Sequence, residues 1–267
     1  MSAATAAGAV SRRLTELSNA DIATRLTPAS ILVLPLGATE QHGAHLPLDT
    51  DIVVAEELTK RIFERWAEAY DLWELPSIGI GLSREHDWAQ GTLSLSIEEF
   101  ITLLRDMARD LVRAFPARNL AIVNGHGGNR GLLEVLIHEL RGDFGLNACV
   151  IHPFDLSKAE VGRGGADVHG GRSETSVMLA LAPHRVRRDL IPAVGPRTDP
   201  QIIRALIFDR GVSWPWRTDD PRLAEGGIIG DPRAATPELG EAIVASVVSE
   251  AGGVFARLLE NQKLMGG

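Results

Sequence analysis

The sequence predicts an α/β fold in which a mostly parallel sheet is covered by helices on both faces. Three observations predict it. Short apolar runs of strand length recur, apolar residues between them repeat at helical spacing, and the two patterns alternate through the first 180 residues. The chain has 267 residues, 45% hydrophobic and 23% charged. A chain of this size buries roughly three quarters of its unfolded surface, so one domain spanning 1–267 is expected, with residues 1–28 as an N-terminal extension.

The elements follow in order. Ile31 to Leu36 is a continuous apolar run ending at Gly37, the pattern of a strand buried on both faces. From Asp51 onward Val54, Leu58, Ile62 and Trp66 recur every four residues and mark an amphipathic helix. Leu75 to Ile80, which contains Pro76, reads as the second strand. Phe100, Leu104, Met107, Leu111 and Phe115 stripe the next helix. Asn119 to Val123 is the third strand and breaks at Asn124-Gly125. Leu132, Leu133, Leu136 and Leu140 stripe another helix, and Ala148 to Ile151 is the fourth strand. Glu174 to Leu181 is a short helix with Ser173 as its N-cap. Leu239, Ile243, Val247, Val254 and Leu258 give a long final helix, weakened at Gly252-Gly253. Before it, residues 192–237 are loop-like, rich in proline, and carry Trp214 and Trp216. That stretch is expected to be an ordered active-site flap or subunit contact rather than disorder.

Composition excludes several classes. A single cysteine allows no internal disulfide and no zinc knuckle, which needs at least two thiolates. The formal charge of −8 argues against a chain built to coat nucleic acid or an anionic membrane. No window approaches 18 uninterrupted apolar residues, and the Ala-rich start lacks the apolar block of a secretory signal. A reducing cytoplasm is the expected location.

The chemistry collects just after the predicted strands, where open α/β sheets bind ligands. In Gly37 to Asp51, Glu40 and His42 are two apart and point the same way on extended backbone. A carboxylate and an imidazole on one face form half a divalent-metal site, and Asp51 at the start of the next helix can close onto the same ion. The alternative is a polar loop whose carboxylates, Asp49 among them, cap helices. Asn124-Gly125-His126-Gly127-Gly128-Asn129 follows the third strand. Its glycines permit tight turns and close approach of backbone to ligand, and it lacks the Gly-Lys-[Ser/Thr] of a phosphate-binding loop. His169-Gly170-Gly171 places a histidine on a flexible turn, able to protonate a leaving group or polarise a carbonyl. Glu174 opens the next helix. Ser83 to Asp87 brings His86 toward the same region. His138, His152 and His184 read as surface or packing residues, and Cys149 as a small hydrophobe within a strand.

The stretches Glu40-Gln41-His42, Leu46 to Asp51, Asn124 to Asn129, and His169-Gly170-Gly171 with Glu174-Thr175-Ser176 resemble the creatininase (creatinine amidohydrolase) family in identity, order and spacing. Gly91 to Ser94 and Gly230-Asp231-Pro232 look like two further family stretches, so the resemblance spans about residues 30–250. It implies a three-layer α/β/α sandwich and a two-metal centre of zinc or manganese, with iron also admitted. It also implies hydrolysis of C–N bonds in cyclic or linear amides. Carried over by position, Glu40, His42, Asp51 and His126 are metal ligands with Asp51 as the bridge, and His169 has the proton-transfer role. Creatinine-hydrolysing members carry Tyr-Glu after the motif histidine, and that glutamate is a ligand. Here Gly127 and Gly128 stand in those places, and Glu174 is the candidate replacement, as a ligand and in catalysis. The Gly-Gly version looks like the branches of formylaminopyrimidine deformylases and of the peptidase that trims the mycofactocin precursor. His45, Asp49, Ser83, His86, Gly127 and Gly128 are expected around the substrate or behind the ligands. The family further implies a small-molecule amide substrate and a homo-oligomer such as a hexamer.

The expected activity is therefore a metal-dependent amidohydrolase in which a metal-activated water attacks the amide. Two rival readings stand beside it: a metal-binding sensor or scaffold without catalysis, and a nucleotide-binding α/β protein.

Overall fold

The computed structural model describes residues 11–159, 167–209 and 211–265. Its strands are β1 (Ile31–Leu36), β2 (Leu72–Glu74), β3 (Asn119–Asn124) and β4 (Asn147–Ile151). They pair in parallel in the order β2-β1-β3-β4. The helices are α1 (Asn19–Arg25), α2 (Thr50–Trp66), α3 (Ile97–Ala114), α4 (Arg130–Phe144), α5 (Pro153–Leu156), α6 (Arg172–Leu181), α7 (Pro200–Ile207) and α8 (Pro237–Met265).

The unbroken apolar run of β1 is explained by its place. It is an inner strand, and successive side chains enter opposite cores. Ile31 and Val33 pack with Val54, Leu58 and Ile62 of α2, Val177 and Met178 of α6, and Val247 and Phe255 of α8. Leu32, Leu34 and Leu36 pack with Phe100, Leu104 and Leu111 of α3 and Leu133, Leu136 and Leu140 of α4. Helix, sheet and helix thus form the three layers. The segment 11–28 joins the second core through Leu14 and Leu26, and Glu74 N–H donates to the Arg12 carbonyl at the β2 edge. Residues 1–10 of the expected extension lie outside the described residues.

Four sequence expectations change. The second strand is Leu72–Glu74, not Leu75 to Ile80. Pro76 has no N–H for the ladder, so beyond Glu74 only an isolated bridge joins Leu36 to Ile78. Ser173 is not the N-cap of α6. The helix begins at Arg172, two residues earlier, with Gly171 at the N-cap, and Asp167 satisfies its end by accepting the N–H groups of Arg172 and Ser173 and the Ser173 hydroxyl. The Gly252-Gly253 pair does not interrupt α8. A Cβ at 252 would lie 2.6 Å from the Trp66 indole, so this glycine permits close packing on α2. The 192–237 stretch is not wholly loop. It contains α7, capped by Asp199, whose Ile203 packs with Leu223, Ala224 and Ile229 in a small third core beside Trp216.

By length and composition Pro237–Leu264 is apolar enough to cross a membrane. Its Ile243, Val244, Val247, Ala251, Phe255 and Leu258 are buried against the sheet layer, the role of a core helix. Cys149 packs at the edge of the same core, where burial pushes its thiol up to about 12 and leaves it unreactive.

Candidate metal centre

The strand order positions the site. β1 has β2 on one side and β3 on the other, so the loops leaving β1 and β3 open a crevice above the carboxyl ends of neighbouring strands. The loop after β1 supplies Glu40 and His42. The first turn of α2 supplies Asp51, and the loop after β3 supplies His126. Gly125 lets these segments meet, because a Cβ there would lie 2.1 Å from the Asp51 carbonyl oxygen. His169 and Glu174 come from the turn before α6 and from its first turn, and His86 from the 3-10 turn Arg84–His86.

These side chains converge in a buried cluster. Asp51 Oδ1 is 3.0 Å from His42 Nε2, and its Oδ2 is 3.0 Å from His126 Nδ1. Glu40 Oε1 lies 3.2 Å from His126 Nδ1, 3.5 Å from His86 Nε2 and 3.6 Å from His169 Nδ1. Glu174 Oε2 is 3.8 Å from His42 Nε2 and accepts the Gly170 N–H. Two groups result, Glu40–Asp51–His126 and His42–Asp51–Glu174, with one oxygen of Asp51 facing each.

Backbone carbonyls orient the imidazoles. His126 Nε2–H donates to the Leu82 carbonyl at 2.6 Å, His42 Nδ1–H to that of Glu40 at 3.1 Å, and His169 Nε2–H to that of Gln41 at 2.6 Å. A carbonyl can only accept, so each bond fixes the tautomer and turns the lone pair of the other nitrogen toward the carboxylates.

The residues fit divalent ions. Both carboxylate oxygens of Glu40, and Oδ2 of Asp51, are buried without a hydrogen-bond partner. Carboxylates withdrawn from water in this way are costly unless a cation sits among them. The ligand atoms of Glu40, His42 and Asp51 lie within 4.8 Å of one another, as do those of His42, His169 and Glu174 and those of Glu40, His86 and His169. Imidazole and carboxylate without thiolate suit zinc or manganese.

The electrostatics agree. Burial opposes a charge on His42, but the Asp51 carboxylate and its hydrogen bond, with Glu174 and Glu40, outweigh it and raise His42 to about 10. Burial also opposes charge on His126, and Glu40 and Asp51 still hold it well above its ordinary value. Burial raises Glu174 to about 7 against the pull of His42. Burial, then the charges of His42 and His86, holds His169 well below its ordinary range, and burial brings His86 down to about 4. In the metal-free protein His42 and His126 therefore hold protons at neutral pH that an incoming ion must displace. Metal affinity is expected to rise as pH climbs toward the His42 value of about 10, with release at neutral pH of the protons held by His42 and His126 and of part of one held by Glu174. Calorimetry in buffers of different ionisation enthalpy measures that release, and binding without it would refute the assignment.

A cavity of about 520 Å³ opens on the cluster, lined by Glu40, His86, His126, Gly127, Gly128, His169 and Glu174. Three other expected residues do not line it. His45 is buried and bonds Thr175 Oγ1 at 2.8 Å, Asp49 pairs with Arg185 at 2.7 Å, and Ser83 is buried with an unpartnered hydroxyl. His138 and His184 are exposed, and His152 meets the Asn124 amide at 3.3 Å. Sequence reasoning missed Gln41, whose Nε2 donates to the Gly227 carbonyl and lies 3.0 Å from His86 Nδ1. It also missed Thr218, whose hydroxyl lies 2.8 Å from the same nitrogen, and the cavity-lining Arg217. No local pattern marks Gln41 and Thr218, because their partners lie far along the chain.

Comparison with known proteins bears on the family and the fold. The family model described as creatininase, creatinine amidohydrolase, matches residues 15–254. The mycofactocin precursor peptide peptidase of Mycobacterium tuberculosis is 35% identical over 245 residues, 88% of each chain. The creatinine amidohydrolase of Pseudomonas putida is 30% identical over 234 residues, 80% of this chain and 84% of that one. A mutant creatininase complexed with creatine superposes with a TM-score of 0.74 at 26% identity, covering 94% of this chain and 99% of that one. A manganese form and a Zn–Zn form of creatininase each give 0.72 at 26% identity, covering 93% and 98%.

Proposed function

This chain belongs to the creatininase family, and on that premise we propose that it is an amidohydrolase working with two divalent ions, zinc or manganese. The observation that carries the reading is the shared Asp51. Its two oxygens face two different imidazoles, each completed by a further carboxylate, Glu40 on one side and Glu174 on the other. Glu174 thus joins the ligand set from α6. Ions held there supply Lewis acidity and a nucleophilic water at neutral pH.

The chain's own groups do the rest. His169 is neutral, and its Nε2–H is committed to the Gln41 carbonyl. Its Nδ1 lone pair takes the proton from the attacking water and passes it to the departing nitrogen. Gly127 and Gly128 line the cavity beside His126, where their N–H groups hold the amide oxygen as it gains charge. The size of the cavity and the peptidase relative support a linear, peptide-type amide over creatinine. Three exposed apolar side chains, Val194, Phe208 and Val212, support the 192–237 stretch as a subunit contact of a homo-oligomer. The lone cysteine suits the cytoplasm.

The test uses the purified protein. Metal analysis is expected to find about two equivalents, the number a shared-carboxylate centre holds. Short peptides, formamides and cyclic amides are assayed with and without chelator, and peptides are expected to turn over only without it. Full metal with no turnover across the panel would move the reading to a sensor or scaffold. A light-scattering mass equal to one chain would remove the oligomer.

A further inference from the structure

The cavity holds one carboxylate that the metal centre does not use. Glu85 lies on the turn Arg84–His86, its side chain is 17% exposed, and it lines the cavity with His126, Gly128, Trp214 and Trp216. Its Oε1 is 3.8 Å from His126 Nε2, but that N–H is already given to the Leu82 carbonyl. The two arginines at the cavity are engaged with other acids. Arg217 meets Asp87 at 2.9 Å and Asp219 at 3.1 Å, and Arg84 meets Asp87 at 3.6 Å. Among the described residues, no lysine or arginine pairs with the Glu85 carboxylate.

Position 128 is shaped around this group. A Cβ on residue 128 would lie 2.3 Å from the Leu82 carbonyl oxygen, 2.4 Å from His126 Nε2 and 2.5 Å from Glu85 Oε1. Glycine at 128 therefore leaves room for His126 and for the Glu85 carboxylate beside it. Two indoles and a carboxylate without an arginine or lysine partner in one cavity are together the surroundings that receive a cationic N–H donor.

We propose that Glu85 accepts an N–H donor of the substrate, and that the site selects amides carrying a cationic nitrogen, ammonium or amidinium, near the scissile bond. This deepens the amidohydrolase reading and rests on it.

Benzamidinium, a flat cation that is a poor metal ligand, is the probe, and benzyl alcohol is its neutral counterpart. Calorimetry on the metal-loaded protein is expected to show benzamidinium binding about ten-fold more tightly. Glu85→Gln should erase that preference with metal content unchanged. Glu85→Ala should erase it too, again with metal content unchanged, and it carries the test alone if Glu85→Gln does not fold. Equal affinities in the unmodified protein, or a preference that survives in Glu85→Gln, would overturn the proposal. Loss of metal from Glu85→Gln would also overturn it, by assigning the carboxylate to the centre. An unmodified protein that shows the benzamidinium preference but hydrolyses no amide would sink the amidohydrolase reading alone.

Discussion

Asp51→Asn is expected to strip metal from both halves of the centre and to lower amide turnover about 1000-fold or more. The side chain lies between His42 and His126, 3.0 Å from each, with one oxygen toward each ring. Asparagine keeps the shape but removes the charge. It also turns an N–H toward one of two imidazole nitrogens whose lone pairs are needed for an ion. The fold should survive, because the Asp51 side chain supports polar neighbours and not the apolar cores. Losing its buried pairs with protonated His42 and His126 should leave the metal-free protein less stable at neutral pH. Metal analysis, turnover and a thermal melt on the same preparation check the three parts. A variant that keeps two equivalents of metal would end the bridging assignment.

His169→Ala is expected to retain metal and lose about 100- to 10,000-fold in turnover, the range for removal of a positioned proton carrier. Its ring lies between those of His42 and His86, with centroids 4.3 and 4.0 Å away. Its Nδ1 points at Glu40 from 3.6 Å. That geometry also suits a ligand, since His169 shares one group with His42 and Glu174 and another with Glu40 and His86. Metal content separates the two roles. If His169→Ala sheds an ion, the residue belongs to the centre and the proton must travel elsewhere.

Much of the architecture is legible in the residue order. β1 and β3 announce themselves because inner strands covered on both faces need unbroken apolar side chains. The stripes of α2, α3 and α4 are legible because each helix buries one face. Glu40, His42, Asp51 and His126 are legible because loops at strand ends have little packing reason to hold such residues. Elements held by distant partners are less legible. β2 has three residues and sits at an edge, so neighbours decide where pairing stops. The start of α6 depends on Asp167, five and six residues before the amides it accepts, and Ser173 offers the same local cue. The order within 192–237 comes from a small core that joins Ile203 to Leu223, Ala224 and Ile229.

The sequence by itself determined the alternation of strands and helices and the identity of the metal-type donors, since both are written in neighbouring residues and short spacings. Only the tertiary structure decided which nitrogen of each histidine faces inward, that the two oxygens of Asp51 serve different imidazoles, and that Gly128 makes room for Glu85. Each of these depends on a backbone carbonyl or a side chain brought in from another segment. Helix-on-sheet packing sets those distances, and no local run of residues encodes them.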